Sequence, residues 1–405
     1  RRSSYMFEYA IVAGLTATGA DAYMLHVTTT PSVAYVTRVD SFDCGVMISA
    51  SHNPFEHNGI KIFNGQGFKL SDALEEKIEE MVLSDGENIP IKTGEHIGKV
   101  SYVADKASED YIDHLESSIH EDLHGLRILV DCANGAAYAT AGRLFDRFPK
   151  LMTDIINADP DGVNINDKCG STHMDALAAM VTAGGYDLGI AFDGDADRCL
   201  AVDEKGREID GDQVMALCGL SLKEQGRLFG NTVVATVMSN IGLHKFVKEN
   251  GISLECTSVG DRNVLERMLE KGYVIGGEQS GHMIFLEYAT TGDGQLTALQ
   301  ILALLQRSGK KASELFGSCA RYPQVLINIP VSGGNAAKDA IMAADWLRDA
   351  VAQQEAILGE SGRILVRPSG TEALIRVMVE AQEEETAHSC AQILADRIKC
   401  QENSV

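Results

Sequence analysis

Apolar and polar positions follow two different periods along the first part of the chain, and these periods predict strands and helices in turn. Short apolar runs predict strands at 22–26 and 44–49. An apolar residue at every third or fourth position predicts helices at 5–18, 31–38 and 72–83. Strands that alternate with helices favour βαβ units and mostly parallel sheets.

A polar stretch at 83–98 interrupts this alternation, and a helical pattern then leads into a new strand, LRILVDC. A second α/β unit continues through the strand YDLGIAF and the hairpin LAVDEKGREIDG. A third begins with the helix DQVMALCGLSLKEQ and the strand TVVATVMS. We therefore expect domain 1 at 1–117, domain 2 at 118–208 and domain 3 at 209–319.

The pattern changes from residue 320, where two long strand-like runs, QVLINIPV and LIRVMVEA, flank a helix at 336–356 and the loop VRPSGTEA. A final helix is predicted at 384–399. This order is typical of an α+β domain, which we place at 320–405. The predicted fold class is therefore α/β, with three related α/β domains of mixed, mostly parallel sheets and a C-terminal α+β domain. The chain opens on RRSSYMFEYAIVAG, a strand-to-helix loop without its strand, so we expect a truncated N-terminus.

Composition narrows the class of protein. The 405 residues are 45% hydrophobic, and this length favours roughly two to four domains. No apolar run reaches the ~18 residues of a transmembrane helix, and no signal peptide is recognisable, so a cytoplasmic protein is expected. The net charge of 35 − 58 = −23 disfavours nucleic-acid and membrane partners, and an anionic substrate would need a locally basic cleft.

The loop FDGDADR carries the strongest chemical signal. Asp193, Asp195 and Asp197 alternate directly after a strand, and carboxylates in such a turn can converge on a hard cation such as Mg²⁺. An EF-hand would use these residues with Glu204, but Arg198 stands where that loop needs glycine. A solvated acidic turn is the third possibility. A metal site is favoured, and Arg198 beside it suggests a phosphate partner.

The loop VRPSGTEALIR at 366–376 combines small residues, hydroxyls and two arginines. Such residues can form a phosphate cradle, although Pro-Ser-Gly is also an ordinary hairpin turn. Its candidate ligands are Arg367, Ser369, Gly370, Thr371 and Arg376.

The loop IGGEQSGHM at 275–283 places Glu278, Ser280 and His282 among glycines. Glu278 and Ser280 could bond vicinal sugar hydroxyls, and His282 could exchange protons near neutral pH. A glycine-rich connection with a solvated glutamate is the alternative.

The loop SASHNPFEHNGIK at 49–61 has good turn chemistry. No Gly-x-Ser-x-Gly motif surrounds Ser51, so acyl transfer has little support. A serine that attacks phosphorus needs in-line placement, nearby cations and a path for its proton. Together the four loops describe a phosphoryl-transfer site. They would supply a nucleophile, a metal ion, groups that bind sugar hydroxyls and groups that bind phosphate.

These motifs resemble those of the α-D-phosphohexomutase superfamily, and most closely its bacterial phosphoglucosamine mutase branch. ISASHNPFEHNGIK is similar to the family's phosphoserine loop, AFDGDADR to its metal loop, GGEQSGH to its sugar loop and RPSGTEALIRVMVE to its phosphate loop. The resemblance spans nearly the whole chain and implies a heart-shaped, four-domain isomerase. The implied reaction converts glucosamine 6-phosphate to glucosamine 1-phosphate, for amino-sugar nucleotide and cell-wall precursor synthesis. A phosphomannomutase or phosphoglucomutase of the same mechanism is the nearest alternative.

The resemblance also implies residue roles. Ser51 would be the phosphorylated residue and would bind one Mg²⁺ per chain together with Asp193, Asp195 and Asp197. Lys61 and His282 would be general acid/base residues, Arg198 would steady the transferring group, Glu278 and Ser280 would bind sugar hydroxyls, and the 366–376 loop would hold the second phosphate.

The implied ligands are a phosphosugar substrate and a hexosamine or glucose 1,6-bisphosphate intermediate or activator. A homodimer through domain 1 is also implied. The local positive field is expected from Lys61, Arg198, Arg262, Arg367 and Arg376. A regulatory or scaffold protein that binds sugar phosphates without turnover is the competing class.

Overall fold

The computed structural model describes residues 1–84, 89–332, 334–369 and 372–402. The chain divides into two compact units. Unit 1 contains Arg1–Met238 and Asn250–Ser318, and unit 2 contains Ser239–Glu249 and Cys319–Val405. Unit 2 therefore draws one short segment from the middle of the chain.

The first part of unit 1 contains α1 (Arg2–Ala17), β1 (Ala22–Met24), α2 (Thr30–Val39), β2 (Cys44–Ile48), β3 (Ile60–Asn64), α3 (Asp72–Leu83), β4 (Val100–Tyr102) and α4 (Ala104–Glu116). The predicted helices and strands of this part are confirmed. Strand β3 was not predicted from the sequence, because its short run IKIFN follows a polar loop and shows no extended period. β1 pairs with β4 in parallel, and β2 pairs with β3 in antiparallel. Residues 21–28 and 45–49 line a cavity of about 510 Å³ between β1 and β2.

The second part contains β5 (Arg127–Asp131), α5 (Ala141–Phe145), β6 (Met152–Ile156), α6 (Asp175–Gly184), β7 (Leu188–Phe192), β8 (Cys199–Asp203) and β9 (Glu208–Ile209). The strand order is β6-β5-β7-β8-β9. The first three strands run parallel, and β8 and β9 extend the sheet in antiparallel. Every residue of β7 and β8 is buried, which gives the connection between them rigid ends.

The third part contains α7 (Gly211–Glu224), β10 (Thr232–Thr236), β11 (Ser253–Thr257), α9 (Asp261–Lys271), β12 (Ile275–Gly277), β13 (Met283–Phe285), α10 (Gly294–Ser308) and α11 (Ala312–Leu315). The strand order is β11-β10-β12-β13, with β13 antiparallel at the edge. Asp210 and Gln213 form a capping box at the start of α7, and such a box satisfies two helix N–H groups.

Unit 2 contains α8 (Ile241–Glu249), β14 (Gln324–Pro330), α12 (Gly334–Ala343), α13 (Asp345–Leu358), β15 (Gly362–Pro368), β16 (Leu374–Ala381) and α14 (Glu384–Glu402). The three strands form an antiparallel sheet in the order β14-β16-β15. Ile375 and Val377 of β16 share a core with Leu394 of α14. The single helix predicted at 336–356 is wrong, because the backbone is extended at Ala344 and divides it into α12 and α13.

Short turns of 3-10 helix occur at Gly94–His96, Ala136–Ala139, Gly170–Thr172, Phe229–Asn231, Phe316–Ser318 and Gly359–Ser361. Over the described ranges, no helix combines the length and the apolar character that crossing a membrane requires.

Candidate active site

The connection between β7 and β8 carries three buried carboxylates. Asp193, Asp195 and Asp197 are 0%, 1% and 4% exposed, and one oxygen of each lies within 4.8 Å of the others. A strand on each side of the loop excludes the helix–loop–helix of an EF-hand. Glu204, the last ligand of that alternative, instead accepts a hydrogen bond from the Ser313 N–H at 3.0 Å.

This carboxylate cluster fits a divalent metal ion. Oδ1 of Asp195 and Oδ1 of Asp197 are buried, and no residue in the described part of the chain forms a hydrogen bond with them. Burial raises the pKa of Asp193 well above its ordinary value, and the charges of Asp197 and Asp195 raise it further. A hard cation with oxygen ligands would satisfy the free oxygens and relieve this repulsion.

Lys61 and Thr30, from the first part of unit 1, donate hydrogen bonds to the same cluster. Lys61 on β3 places Nζ 2.6 Å from Oδ2 of Asp195 and 3.0 Å from Oδ2 of Asp197. Burial alone would lower the pKa of Lys61, but these two carboxylates raise it above its ordinary value. Thr30, at the start of α2, donates to Oδ2 of Asp195 at 2.5 Å. Sequence reasoning missed Thr30 because the run TTTP indicates only a helix start.

Ser51 lies directly beside this cluster. Its Oγ donates a hydrogen bond to Oδ2 of Asp193 at 2.6 Å. The Ser51 backbone is left-handed, with φ of 48°, and its N–H donates to Oγ of Ser49 at 2.9 Å. Ser49 therefore supports the turn, whereas the Ser51 hydroxyl faces the carboxylates.

Arg198 is held in position by hydrogen bonds from its backbone N–H and from its guanidinium. Its backbone N–H donates to Oδ1 of Asp193 at 3.2 Å, and its guanidinium donates to Nδ1 of His52 at 3.2 Å. Burial lowers the pKa of His52, and the charge of Arg198 lowers it further. A neutral His52 can accept this bond and keep the guanidinium beside the Ser51 loop.

The turn between β12 and β13 presents Glu278 and Ser280. Oε1 of Glu278 accepts a hydrogen bond from the Gly260 N–H at 3.0 Å, just before α9. Oγ of Ser280 is buried and has no hydrogen-bond partner within the ranges that the structure describes. An unpartnered buried hydroxyl is uncommon and favours a ligand contact at this turn.

His282, at the end of the same turn, is only 3% exposed. Its Nε2 accepts a hydrogen bond from the Gly292 N–H at 3.0 Å, which leaves the ring proton on Nδ1. Nδ1 lies 3.8 Å from Oδ1 of Asp197. Burial alone would raise the pKa of Asp197, but Lys61 and His282 hold it well below its ordinary value.

In unit 2, two arginines from the predicted phosphate loop lie side by side. Arg367 on β15 is opposite Arg376 on β16, and burial together with the charge of Arg376 lowers the pKa of Arg367. Nε of each guanidinium is buried and has no hydrogen-bond partner among the described residues. Paired guanidinium groups with free donors fit an anion.

Other parts of this loop are held from within unit 2. Oγ of Ser369 accepts a hydrogen bond from the Glu372 N–H at 3.2 Å. Nζ of the buried Lys338, on α12, donates to the carbonyl oxygens of Ser369 and Glu372 at 2.8 and 3.0 Å. Sequence reasoning missed Lys338, which no motif marks. Gly370 and Thr371 lie outside the described residues.

The expected positive field is weaker than the sequence suggests. Lys61 pairs with two of the cluster carboxylates, Arg262 pairs with Asp72 and Glu75, and Arg376 pairs with Glu372 at 2.8 Å. Within the described residues, Arg198 and Arg367 have no carboxylate within ion-pair distance. Of the five expected cations, Arg198 in unit 1 and Arg367 in unit 2 are therefore each available to an anion within their own unit.

Four family models match the chain in order. They are described as Phosphoglucomutase/phosphomannomutase, alpha/beta/alpha domain I at residues 1–88, domain II at 109–206, domain III at 210–322 and the C-terminal domain at 326–397. The chain belongs to this phosphoglucomutase/phosphomannomutase family, which is the phosphohexomutase superfamily. A curated phosphoglucosamine mutase of Acetivibrio thermocellus is 50% identical to it over 404 residues, which cover 98% of this chain and 89% of the relative.

Solved structures share the fold. A phosphoglucomutase/phosphomannomutase family protein from Burkholderia thailandensis matches with a TM-score of 0.77 at 20% identity, over 98% of this chain and 86% of that one. An Aspergillus fumigatus N-acetylphosphoglucosamine mutase, in complex with GlcNAc-6P and magnesium, matches with a TM-score of 0.69 at 18% identity, over 96% of this chain and 92% of that one. The predicted architecture of three α/β domains and a C-terminal α+β domain is thus confirmed.

Proposed function

We propose that this chain interconverts glucosamine 6-phosphate and glucosamine 1-phosphate. It is a phosphohexomutase, an intramolecular phosphotransferase of the isomerase class. Relatives that are 50% and 51% identical over nearly its whole length are phosphoglucosamine mutases, so the phosphomannomutase or phosphoglucomutase alternative is not favoured. The observation that carries the proposal is the Ser51 hydroxyl, 2.6 Å from Asp193 in a buried carboxylate cluster.

Ser51 would carry a phosphate in the resting enzyme. A sugar hydroxyl attacks that phosphorus, the bond from phosphorus to Ser51 Oγ breaks, the hydroxyl proton ends on Ser51 Oγ, and a 1,6-bisphosphate forms. After the bisphosphate turns around, Ser51 accepts the other phosphate and the product leaves. Asp193, Asp195 and Asp197 would hold Mg²⁺, one per chain, which when bound neutralises charge on the transferring phosphate.

The remaining roles follow from the geometry. Arg198, which has no carboxylate partner among the described residues, would bind the transferring group, and Lys61 remains the candidate for proton transfer. The burial of His282 and its contact with Gly292 support a different role, in which it orients Asp197. The unpartnered Ser280 hydroxyl would bind the sugar together with Glu278.

Unit 2 would bind the phosphate that is not being transferred. The adjacent guanidinium groups of Arg367 and Arg376 support this role, with Ser369 beside them. Gly370 and Thr371 are proposed in the same role from the sequence motif alone. The four domain boundaries, the cytoplasmic location, the role in cell-wall precursor synthesis and a homodimer through domain 1 also remain proposals.

Replacement of the nucleophile tests the mechanism. Ser51→Ala should abolish mutase activity, and intact mass should show that the phosphate carried by part of the wild-type protein is lost. Ser84→Ala is the control, because that exposed hydroxyl donates to the Met81 carbonyl, outside the carboxylate cluster. Phosphate found at Ser49, or activity that survives in Ser51→Ala, would contradict the mechanism.

Substrate preference needs a separate assay. Turnover of glucosamine, glucose and mannose phosphates should be compared with one preparation of the wild-type protein. We expect the highest kcat/KM for glucosamine phosphate. A preference for glucose or mannose phosphate would disprove the substrate assignment and leave the phosphoserine mechanism intact.

A further inference from the structure

The Ser51 loop is held by an amide from a distant part of the chain. Nδ2 of Asn166 donates to the carbonyl oxygen of Ser51 at 3.0 Å and to that of Asn53 at 3.1 Å. The guanidinium of Arg1 donates to the same two oxygens, at 2.9 Å each. A carbonyl oxygen has two lone pairs, so both donors can be accommodated.

Asn166 is itself firmly fixed. It is 6% exposed, its backbone is left-handed with φ of 59°, and its N–H donates to the Ala133 carbonyl at 2.9 Å. The carboxylate of Asp131, at the end of β5, accepts from the N–H groups of Ala133 and Gly170 at 2.8 and 2.9 Å. The Asn166 amide is therefore anchored to the central sheet of domain 2.

The conformation that this amide supports is an unusual one. Ser51 has φ of 48°, which non-glycine residues seldom adopt because Cβ crowds the following carbonyl. The Ser51 carbonyl is one of the two groups that Asn166 holds. Relaxation of φ would swing the side chain and move Oγ away from Oδ2 of Asp193.

We infer that Asn166 is a positioning residue for phosphoryl transfer. Its carboxamide holds the Ser51 loop in the strained turn that directs Oγ at the carboxylate cluster. This inference rests on the proposed role of Ser51 as the phosphorylated residue, and it assigns to domain 2 a second contribution beside the carboxylates.

Two substitutions at position 166 distinguish the effect of the side-chain amide from the effect of the left-handed backbone. Asn166→Gly removes the side chain and tolerates the left-handed backbone. Asn166→Asp keeps the shape and also tolerates that backbone, but replaces the N–H donor by an acceptor. We expect kcat to fall about 10²-fold in both variants, since a misplacement of about 1 Å has that effect. KM for the sugar phosphate should not change.

Asn164 provides the matched control. It lies in the same segment, where its amide contacts Asp159 and Asp161 and not the Ser51 loop. Asn164→Gly and Asn164→Asp should keep wild-type kcat. If the Asn166 variants match their Asn164 counterparts, the inference is overturned.

Amide hydrogen exchange tests the positioning directly. The N–H groups of Ser51 and Asn53 bond within the loop, to Ser49 Oγ and the Ala50 carbonyl. Their exchange should accelerate in both Asn166 variants and in neither Asn164 variant. A fall in kcat without faster exchange would overturn the inference, because Asn166 would then act without holding the loop.

The results that would overturn the proposed function differ from those that would overturn the Asn166 inference. A wild-type protein without phosphate at Ser51 would overturn the role of Ser51. Exchange rates at Ser51 and Asn53 would still show whether Asn166 holds the loop, so unchanged rates overturn the Asn166 inference alone.

Discussion

At the scale of single residues, the site depends on how closely its loops approach one another. A Cβ added at Gly194, inside the carboxylate loop, would lie 2.6 Å from the Ser51 carbonyl and 2.9 Å from Nδ2 of Asn166. A Cβ atom does not approach another non-bonded heavy atom this closely, so one of the loops would have to move. Glycine is therefore required at position 194, because the two loops leave no room for a Cβ atom between them.

Gly194→Ala should lower kcat by about 10²-fold because it displaces Ser51 from the carboxylates. It should also lower the free energy of unfolding by about 1–3 kcal/mol through overpacking. Gly14→Ala is the control, because Gly14 in α1 has open space around its Cα and alanine there should stabilise by about 1 kcal/mol. Steady-state kinetics and urea unfolding measure both effects; wild-type kcat in Gly194→Ala would contradict the argument.

The carboxylate cluster leads to a prediction on metal removal. With metal removed by a chelator, the wild-type protein should gain stability on addition of Mg²⁺, by about 2.7 kcal/mol at a hundred times Kd. Asp193→Asn should be more stable than the wild type without metal, because burial and like charges oppose the Asp193 charge, and should respond less to Mg²⁺. Melting temperatures measure this effect, with the exposed Asp167→Asn as control. If Mg²⁺ stabilised Asp193→Asn as much as the wild type, Asp193 would be excluded as a ligand of the metal ion.

At the scale of elements, α4 links α2 to the segment before α10 through one histidine. The ring of His114 stacks on Tyr35, with centroids 4.4 Å apart. Its Nε2 donates to the Tyr288 carbonyl at 2.9 Å. Burial lowers the pKa of His114 below its ordinary value, and the charge of Arg38 lowers it further. The folded protein therefore favours the neutral ring.

The lowered pKa of His114 predicts that the stability of the protein depends on pH. Below about pH 6.5 the unfolded chain binds a proton that folded His114 does not, so the free energy of unfolding decreases as pH falls, by at most about 1.4 kcal/mol per pH unit. His114→Gln should remove that contribution and His120→Gln, at an exposed position, should not. Urea unfolding at several pH values measures the difference between the variants. Equal slopes in His114→Gln and the wild type would refute this assignment.

At the scale of the whole molecule, unit 2 is assembled from two separate chain segments. Glu380 on β16 is fully buried and joins them. Its Oε2 accepts from Nε of Arg363 at 3.1 Å and from the Ile241 N–H, at the start of α8, at 2.8 Å. Residues 239–249 are therefore joined to the sheet of unit 2 through this buried carboxylate.

Glu380→Gln should destabilise unit 2 by about 3 kcal/mol, because it removes the buried carboxylate charge that accepts hydrogen bonds from the Arg363 guanidinium. The only tryptophan of the chain, Trp346, packs against the unit 2 core, so its fluorescence reports this transition. Glu383→Gln, at an exposed position before α14, is the control. An unfolding midpoint equal to that of the control would show that the pair contributes nothing.

Local sequence predicted the elements and loops whose residues are close along the chain. The alternation of Asp193, Asp195 and Asp197 within one turn is sufficient to gather them, and Arg367 and Arg376 meet because a hairpin joins their strands. The division of α12 from α13 escaped prediction, because the apolar period continues through Ala344 although its backbone is extended.

The sequence by itself determined the class of fold, the four motif loops and the family, since periods and motifs are local properties. Only the tertiary structure decided which distant groups meet these loops: Asn166 and Thr30 in unit 1, Lys338 and the α8 segment in unit 2. It also enclosed His282 beside Gly292, away from solvent. The physical reason is that hydrogen bonds and burial between residues far apart in the chain depend on the folded packing, which no local period encodes.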